Sequence, residues 1–179
     1  SSTSRGLGDV YKRQVKDLTN ANFGVNFHMY QPNADVIVDL VIKHNVKAVS
    51  YSRSPGPEFV KKLKDNGVVC MPTIGLPKHA AKAIEMGADV VTVQGGEGGG
   101  HTGAIPTSLL IPQVVDATGG KIPVVAAGGF KDGRGLVAAL SWGAAGIAMG
   151  TRFLMTKESP VPMATKEPVS YTHLRAHET

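Results

Sequence analysis

Short β-branched runs open at Val46, Val68 and Val90, about 22 residues apart, and the interval from Ile122 to Ala144 repeats that spacing. A unit of this length, holding one apolar run and one amphipathic stretch, is a strand followed by a helix, and its iteration builds a parallel sheet. The pattern predicts strands over Phe23–Asn26, Ala48–Tyr51, Val69–Thr73, Val90–Gln94, Val124–Ala127 and Gly146–Met149. Helices are predicted over Ala34–His44, Pro57–Asn66, Pro77–Met86, Ser108–Thr118 and Gly133–Trp142. Pro57 and Pro77 occupy first turns, where a missing N–H costs nothing, and Gly67, Gly87 and Gly143 follow helix ends. The fold class is therefore α/β, an incomplete eightfold β/α barrel with about six parallel strands. A doubly wound open sheet shares this local pattern and is the structural alternative.

The 179 residues fall short of the roughly 250 that a complete eightfold barrel takes. With 42% hydrophobic and 18% charged residues, the composition fits one globular core and excludes disorder and coiled coil. The single cysteine, Cys70, lies in an apolar run and reads as a buried, inert thiol, which with the absence of a signal core or spanning segment points to the cytoplasm. The formal charge of +5 suggests a nucleic-acid partner until its location is considered. Ser1–Gln14 and Val169–Thr179 lack helical or strand periodicity, resemble translated adapter sequence, and are read as non-native ends. Setting aside Arg5, Lys12, Arg13 and Arg175 against Asp9 and Glu178 lowers the charge to +3, spread over helix surfaces, so neither nucleic acid nor membrane is expected as a partner. The pair His173 and His177 goes with the tail, and no metal site is expected. One domain, residues 22–168, remains.

The largest departure from the regular interval is the surplus of about ten residues between Val90 and Ile122. It falls in Gln94-Gly-Gly-Glu-Gly-Gly-Gly-His-Thr-Gly103, directly after a strand, where parallel β/α proteins place functional loops. Six glycines in ten residues carry a large entropic cost, which close approach of a flat ligand would justify. His101 ends the run and is the candidate general base or donor to a developing negative charge, Gln94 is a candidate ligand partner, and Glu97 is either a second acid/base or, more in keeping with its setting, a solvated or structural carboxylate. Pro123-Val-Val-Ala-Ala-Gly-Gly-Phe-Lys-Asp-Gly133 ends a strand in paired glycines before a helix, and Ala148-Met-Gly-Thr151 ends the next strand. Exposed amides at two adjacent strand ends form an anion site. No Walker loop or complete GxGxxG fingerprint is present, which disfavours ATP and a Rossmann dinucleotide site.

Phe23-Gly-Val-Asn26, the loop Gln94–His101, Ala126-Ala-Gly-Gly129 and Met149-Gly-Thr-Arg-Phe153, in this order, resemble the nitronate monooxygenase family, formerly called 2-nitropropane dioxygenases. The resemblance covers about Asn22 to Pro160. It implies an FMN-containing barrel in which Gly128, Gly129, Gly150 and Thr151, with Ala148 and Met149 beside them, hold the phosphate. Asn26, Gln94 and Gly99 would contact the flavin or its ribityl chain, and His101 matches the catalytic histidine. The loop has Gly98 where the family commonly has alanine or serine. The implied reaction is oxidation of an alkyl nitronate or nitroalkane by molecular oxygen to a carbonyl compound and nitrite, with a small molecule and oxygen as partners.

Phe23–Asn26 then corresponds to the third barrel strand, so two βα units are expected to be missing and the chain alone is expected to hold flavin weakly. Two other functions share the pattern. A flavin enoyl-acyl-carrier-protein reductase would draw electrons from NAD(P)H, and a non-catalytic phosphate-binding barrel would do no chemistry. Trp142 reads as packing, His28 and His44 lack the spacing of a metal site, His79 reads as solvent-exposed near a helix start, and Arg152 as a phosphate partner or a clamp at the barrel end.

Overall fold

The structure, a computed structural model, describes residues 14–28, 32–52, 56–99 and 103–174, with side chains to residue 170. Six strands alternate with helices: β1 (Gly24–His28), α1 (Ala34–Lys43), β2 (Ala48–Ser52), α2 (Pro57–Asp65), β3 (Val69–Ile74), α3 (Lys78–Glu85) and β4 (Val91–Gln94) come first. They are followed by α4 (Thr107–Thr118), β5 (Val124–Ala127), α5 (Gly133–Ser141), β6 (Gly146–Ala148), α6 (Thr151–Leu154) and α7 (Met163–Leu174). Every predicted strand and helix forms, with ends shifted by at most two residues. Gly67, Gly87 and Gly143 take φ of +69°, +88° and +88° after their helices.

All six strands are parallel and lie in sequence order, β1-β2-β3-β4-β5-β6. A doubly wound sheet reverses direction at a switch point, and this one does not, so the sheet is the singly wound type that curls into a barrel. The two sheet faces differ as that geometry requires. Val49 and Tyr51 of β2, Cys70 and Ile74 of β3, Val91 and Val93 of β4, and Val124 and Ala126 of β5 are buried on the helix side. They pack in two apolar clusters with Val38, Val41, Val60 and Leu63 at one end and Ala80, Leu110, Ile111, Val114 and Ala139 at the other. The alternate residues Asn26, Ser50, Met71, Thr73, Thr92, Gln94 and Ala127 line the opposite, inner face and are exposed or half-buried. The hydrophobic stabilisation therefore resides between sheet and helices, leaving the concave face polar.

Sequence patterning did not reveal α6 or α7. Helix α7 crosses into the segment read as aperiodic and is helical to Leu174, although it contains Pro168. What docks it is polar: Lys166, only 6% exposed, donates from Nζ to the carbonyls of Thr156 at 2.7 Å and Ser159 at 2.9 Å. Among the described residues, no helix is long and apolar enough to cross a membrane, and no cluster of three His, Cys, Asp or Glu could hold a metal.

Candidate active site at the carboxyl edge of the sheet

The glycine loop leaves β4 at Gln94 and folds back on itself. Gly95 N donates to Ala127 O at 3.0 Å, Gly96 N to Ile105 O at 2.8 Å and Gly98 N to Gly95 O at 3.1 Å. Gln94 Nε2 closes the far side by donating to Gly99 O at 2.8 Å. The amide named from sequence as a ligand partner thus shapes the loop from within.

The absence of side chains is what brings the loop so close to its neighbours. A Cβ on Gly95 would stand 2.1 Å from Thr107 Oγ1 and 2.5 Å from Thr107 Cα. Gly128, at φ +100°, faces the loop backbone directly: its Cβ would lie 3.0 Å from Gly95 O and 3.1 Å from both Gly95 N and Gly98 N. At Gly129, φ is +81° and a Cβ would lie 3.0 Å from Glu97 Cβ. The paired glycines after β5 and the glycine loop after β4 are therefore one packed unit, which sequence treated as two motifs.

Glu97 joins this unit to α4. Its Oε2 accepts from Thr107 N at 2.6 Å and from the Thr107 hydroxyl, while Thr107 Oγ1 lies 3.1 Å from Gly128 O. Burial tends to raise the Glu97 pKa, but the Thr107 hydroxyl and amide and its own backbone amide outweigh this and hold it below the usual carboxylate value. Glu97 thus makes the contacts of a structural carboxylate. Thr107, 4% exposed, escaped sequence reading; its signal was its place after Pro106 at a helix start.

At the next strand end, Ala148 lies on the inner face, Met149 is half-buried, and Gly150 and Thr151 are exposed. Open space surrounds the position a Gly150 Cβ would take, as it does at Gly99. Asn26 stands on the same inner face at the opposite end of the sheet, where its Oδ1 accepts from Ser50 Oγ at 3.1 Å. Beside it, His28 Nδ1 and Ser52 Oγ are 2.5 Å apart, a polar pair that the alternation of Asn-Phe-His and Ser-Tyr-Ser could have revealed. His101 lies outside the described residues. Trp142 packs its ring at 6.5 Å from that of Phe130, in keeping with its packing role.

A glycine loop and a double-glycine turn are packed at the carboxyl ends of adjacent parallel strands, with an open glycine at the third, the edge at which β/α barrels carry their active sites. The family model for nitronate monooxygenase matches residues 4–176. The chain belongs to the nitronate monooxygenase family. It is 55% identical over 153 residues to "(3aS,4S,5R,7aS)-5-hydroxy-7a-methyl-1-oxo-octahydro-1H-indene-4-carboxyl-CoA dehydrogenase" of Rhodococcus jostii (strain RHA1), covering 86% of this chain and 43% of that protein. It is 39% identical over 164 residues to a "Probable nitronate monooxygenase" of Bacillus subtilis (strain 168), covering 84% and 47%. Among solved structures, FabK from Thermotoga maritima superposes with a TM-score of 0.83 at 35% identity, covering 89% of this chain and 51% of that one. The chain spans less than half the length of these two curated relatives.

Proposed function

We propose that this chain supplies the FMN grip and the catalytic loop of an oxidoreductase that dehydrogenates a hydroxylated alicyclic carboxyl-CoA thioester. The phosphate of FMN would sit at the strand ends, between the positive-φ turn Gly128–Gly129, which the glycine loop backs, and Gly150 with Thr151, where open space surrounds the backbone. Gln94, Gly99 and Asn26, on or above the same inner face, would border the flavin. When bound, FMN would accept a hydride from the substrate carbon that is oxidised. His101 would take the proton that leaves with that hydride. The observation that carries the substrate class is the 55% identity to the Rhodococcus dehydrogenase.

Nitronate oxidation is the second reading, favoured by the family model and the Bacillus relative. Here His101 would hold the nitronate oxygens, or remove the α-proton of a neutral nitroalkane. Anaerobic mixing of the flavin-loaded protein separates the readings. Bleaching of the flavin by a hydroxylated bicyclic carboxyl-CoA thioester, without bleaching by an alkyl nitronate, supports the first. The reverse result supports the second. Rapid bleaching by NADH instead of either would assign a nicotinamide-driven reductase. His101→Asn is expected to slow the thioester reaction by about 10²–10⁴-fold, the usual worth of a positioned base.

A further inference from the structure

We propose that Glu97 is the positioning residue of this site: through Thr107 it fastens the glycine loop that carries His101 onto the Gly128–Gly129 turn. The inference rests on the reading of that turn as a phosphate grip and of the loop as the catalytic one. Three contacts carry it. One carboxylate oxygen of Glu97 receives both the amide and the hydroxyl of Thr107, the first residue of α4. The same hydroxyl oxygen stands 3.1 Å from Gly128 O. A Cβ added at Gly129 would stand 3.0 Å from Glu97 Cβ, so the turn lies close over this side chain. A loop of six glycines has little side-chain surface with which to anchor itself, so a buried threonine bonded to a charged acceptor is its strongest fixed point. Glu97 acts here through Thr107, with no proton transfer required of it.

Amide exchange followed residue by residue by NMR tests this, together with titration by FMN and by riboflavin. Thr107→Val and Glu97→Ala are expected to speed exchange at Gly96 and Gly98 about tenfold, as loss of one charge-assisted hydrogen bond implies, and to shift the Gly128 and Gly129 resonances. Alanine keeps the Glu97 Cβ that lies nearest the Gly129 position, so a shift there reports the carboxylate. Thr107→Ser, which keeps the hydroxyl, is expected to restore both signals. FMN affinity should fall about tenfold in Thr107→Val with riboflavin affinity little changed, because only FMN carries the phosphate. Unchanged exchange in both variants would overturn the proposal. So would faster exchange in every strand, since the threonine would then hold up the whole fold. If the unaltered protein binds neither flavin, the functional reading fails while the exchange result still decides the clamp.

Discussion

Gly128 and Gly99 are both glycines of the site, and the structure gives them opposite demands. At Gly128 a methyl group meets backbone atoms on three sides and the φ of +100° is strained for any L-residue. Gly128→Ala is therefore expected to destabilise by about 2 kcal/mol or more, read as a lowered urea midpoint, and to abolish flavin retention. Gly99→Ala meets nothing within 4 Å and should stay within about 0.5 kcal/mol of the parent in the same titration. Gly98 lies between these extremes. Its Cβ would come 2.6 Å from Gln94 Nε2, the end of a flexible side chain, so an alanine there would swing Gln94 off Gly99 O. At this scale the sequence displayed which residues matter and concealed what they touch. The motif order placed Gln94, Gly128 and Gly129 at strand ends, whereas the Thr107 contact depends on packing between segments about ten and twenty residues apart, which local spacing cannot encode.

Elements were legible where burial is one-sided. Strand β5 begins and ends as its apolar run does, and α5 starts after Asp132, whose side chain accepts from Arg134 N at 3.0 Å as an N-cap. Helices α6 and α7 were not legible. The first has four residues, too few for a period to show, and the second carries Pro168 and is docked by Lys166 in place of an apolar stripe. The cap on α5 makes its own prediction. Hydrogen bonds from the Arg134 side chain and amide hold the Asp132 carboxyl down to about 2, so the group gains stability in the folded state that is present above the ordinary value of 3.8 and lost as pH falls through 2. Protection of the Arg134 amide should persist at pH 4 and disappear near pH 2. Asp132→Ala should remove it at every pH, and Asp132→Asn should keep part of it without the acid transition. Because α5 directly follows the Gly128–Gly129 turn, fraying at Arg134 would also loosen the phosphate grip.

For the molecule as a whole, the decisive fact is that one sheet face is buried and the other is not. Among the described residues, β1 and β6 each have one strand neighbour, so the backbone at both margins can pair with other chains. Self-association that grows with concentration is expected by light scattering; a monomer that keeps its yellow flavin through gel filtration is the contrary result. The buried face sets a second expectation, in alkaline solution. Burial, reinforced by Asp89 and opposed by Lys64, pushes the Cys70 thiol from 9.0 up to about 11, and burial also raises the Tyr51 phenol, with Cys70 and Asp89 adding to it. Both groups are held neutral on the helix side of β2 and β3, where Asp89 accepts from Cys70 N at 2.9 Å and pairs with Lys64. A group whose folded pKa is raised contributes stability in full below its unfolded value and loses it as pH climbs through the folded one. Unfolding midpoints should accordingly be unaffected by these two groups from neutral pH up to 9 and fall between pH 9 and 11, by on the order of 2 kcal/mol from the thiol. Cys70→Ala lowers stability at neutral pH by leaving a cavity but removes the thiol's titration, so its midpoint should decline less steeply over that interval. An equally steep decline in the variant would mean that Tyr51 or another group governs alkaline unfolding and that the thiol is solvated. That outcome would conflict with the full burial of Cys70 beneath α2 and α3.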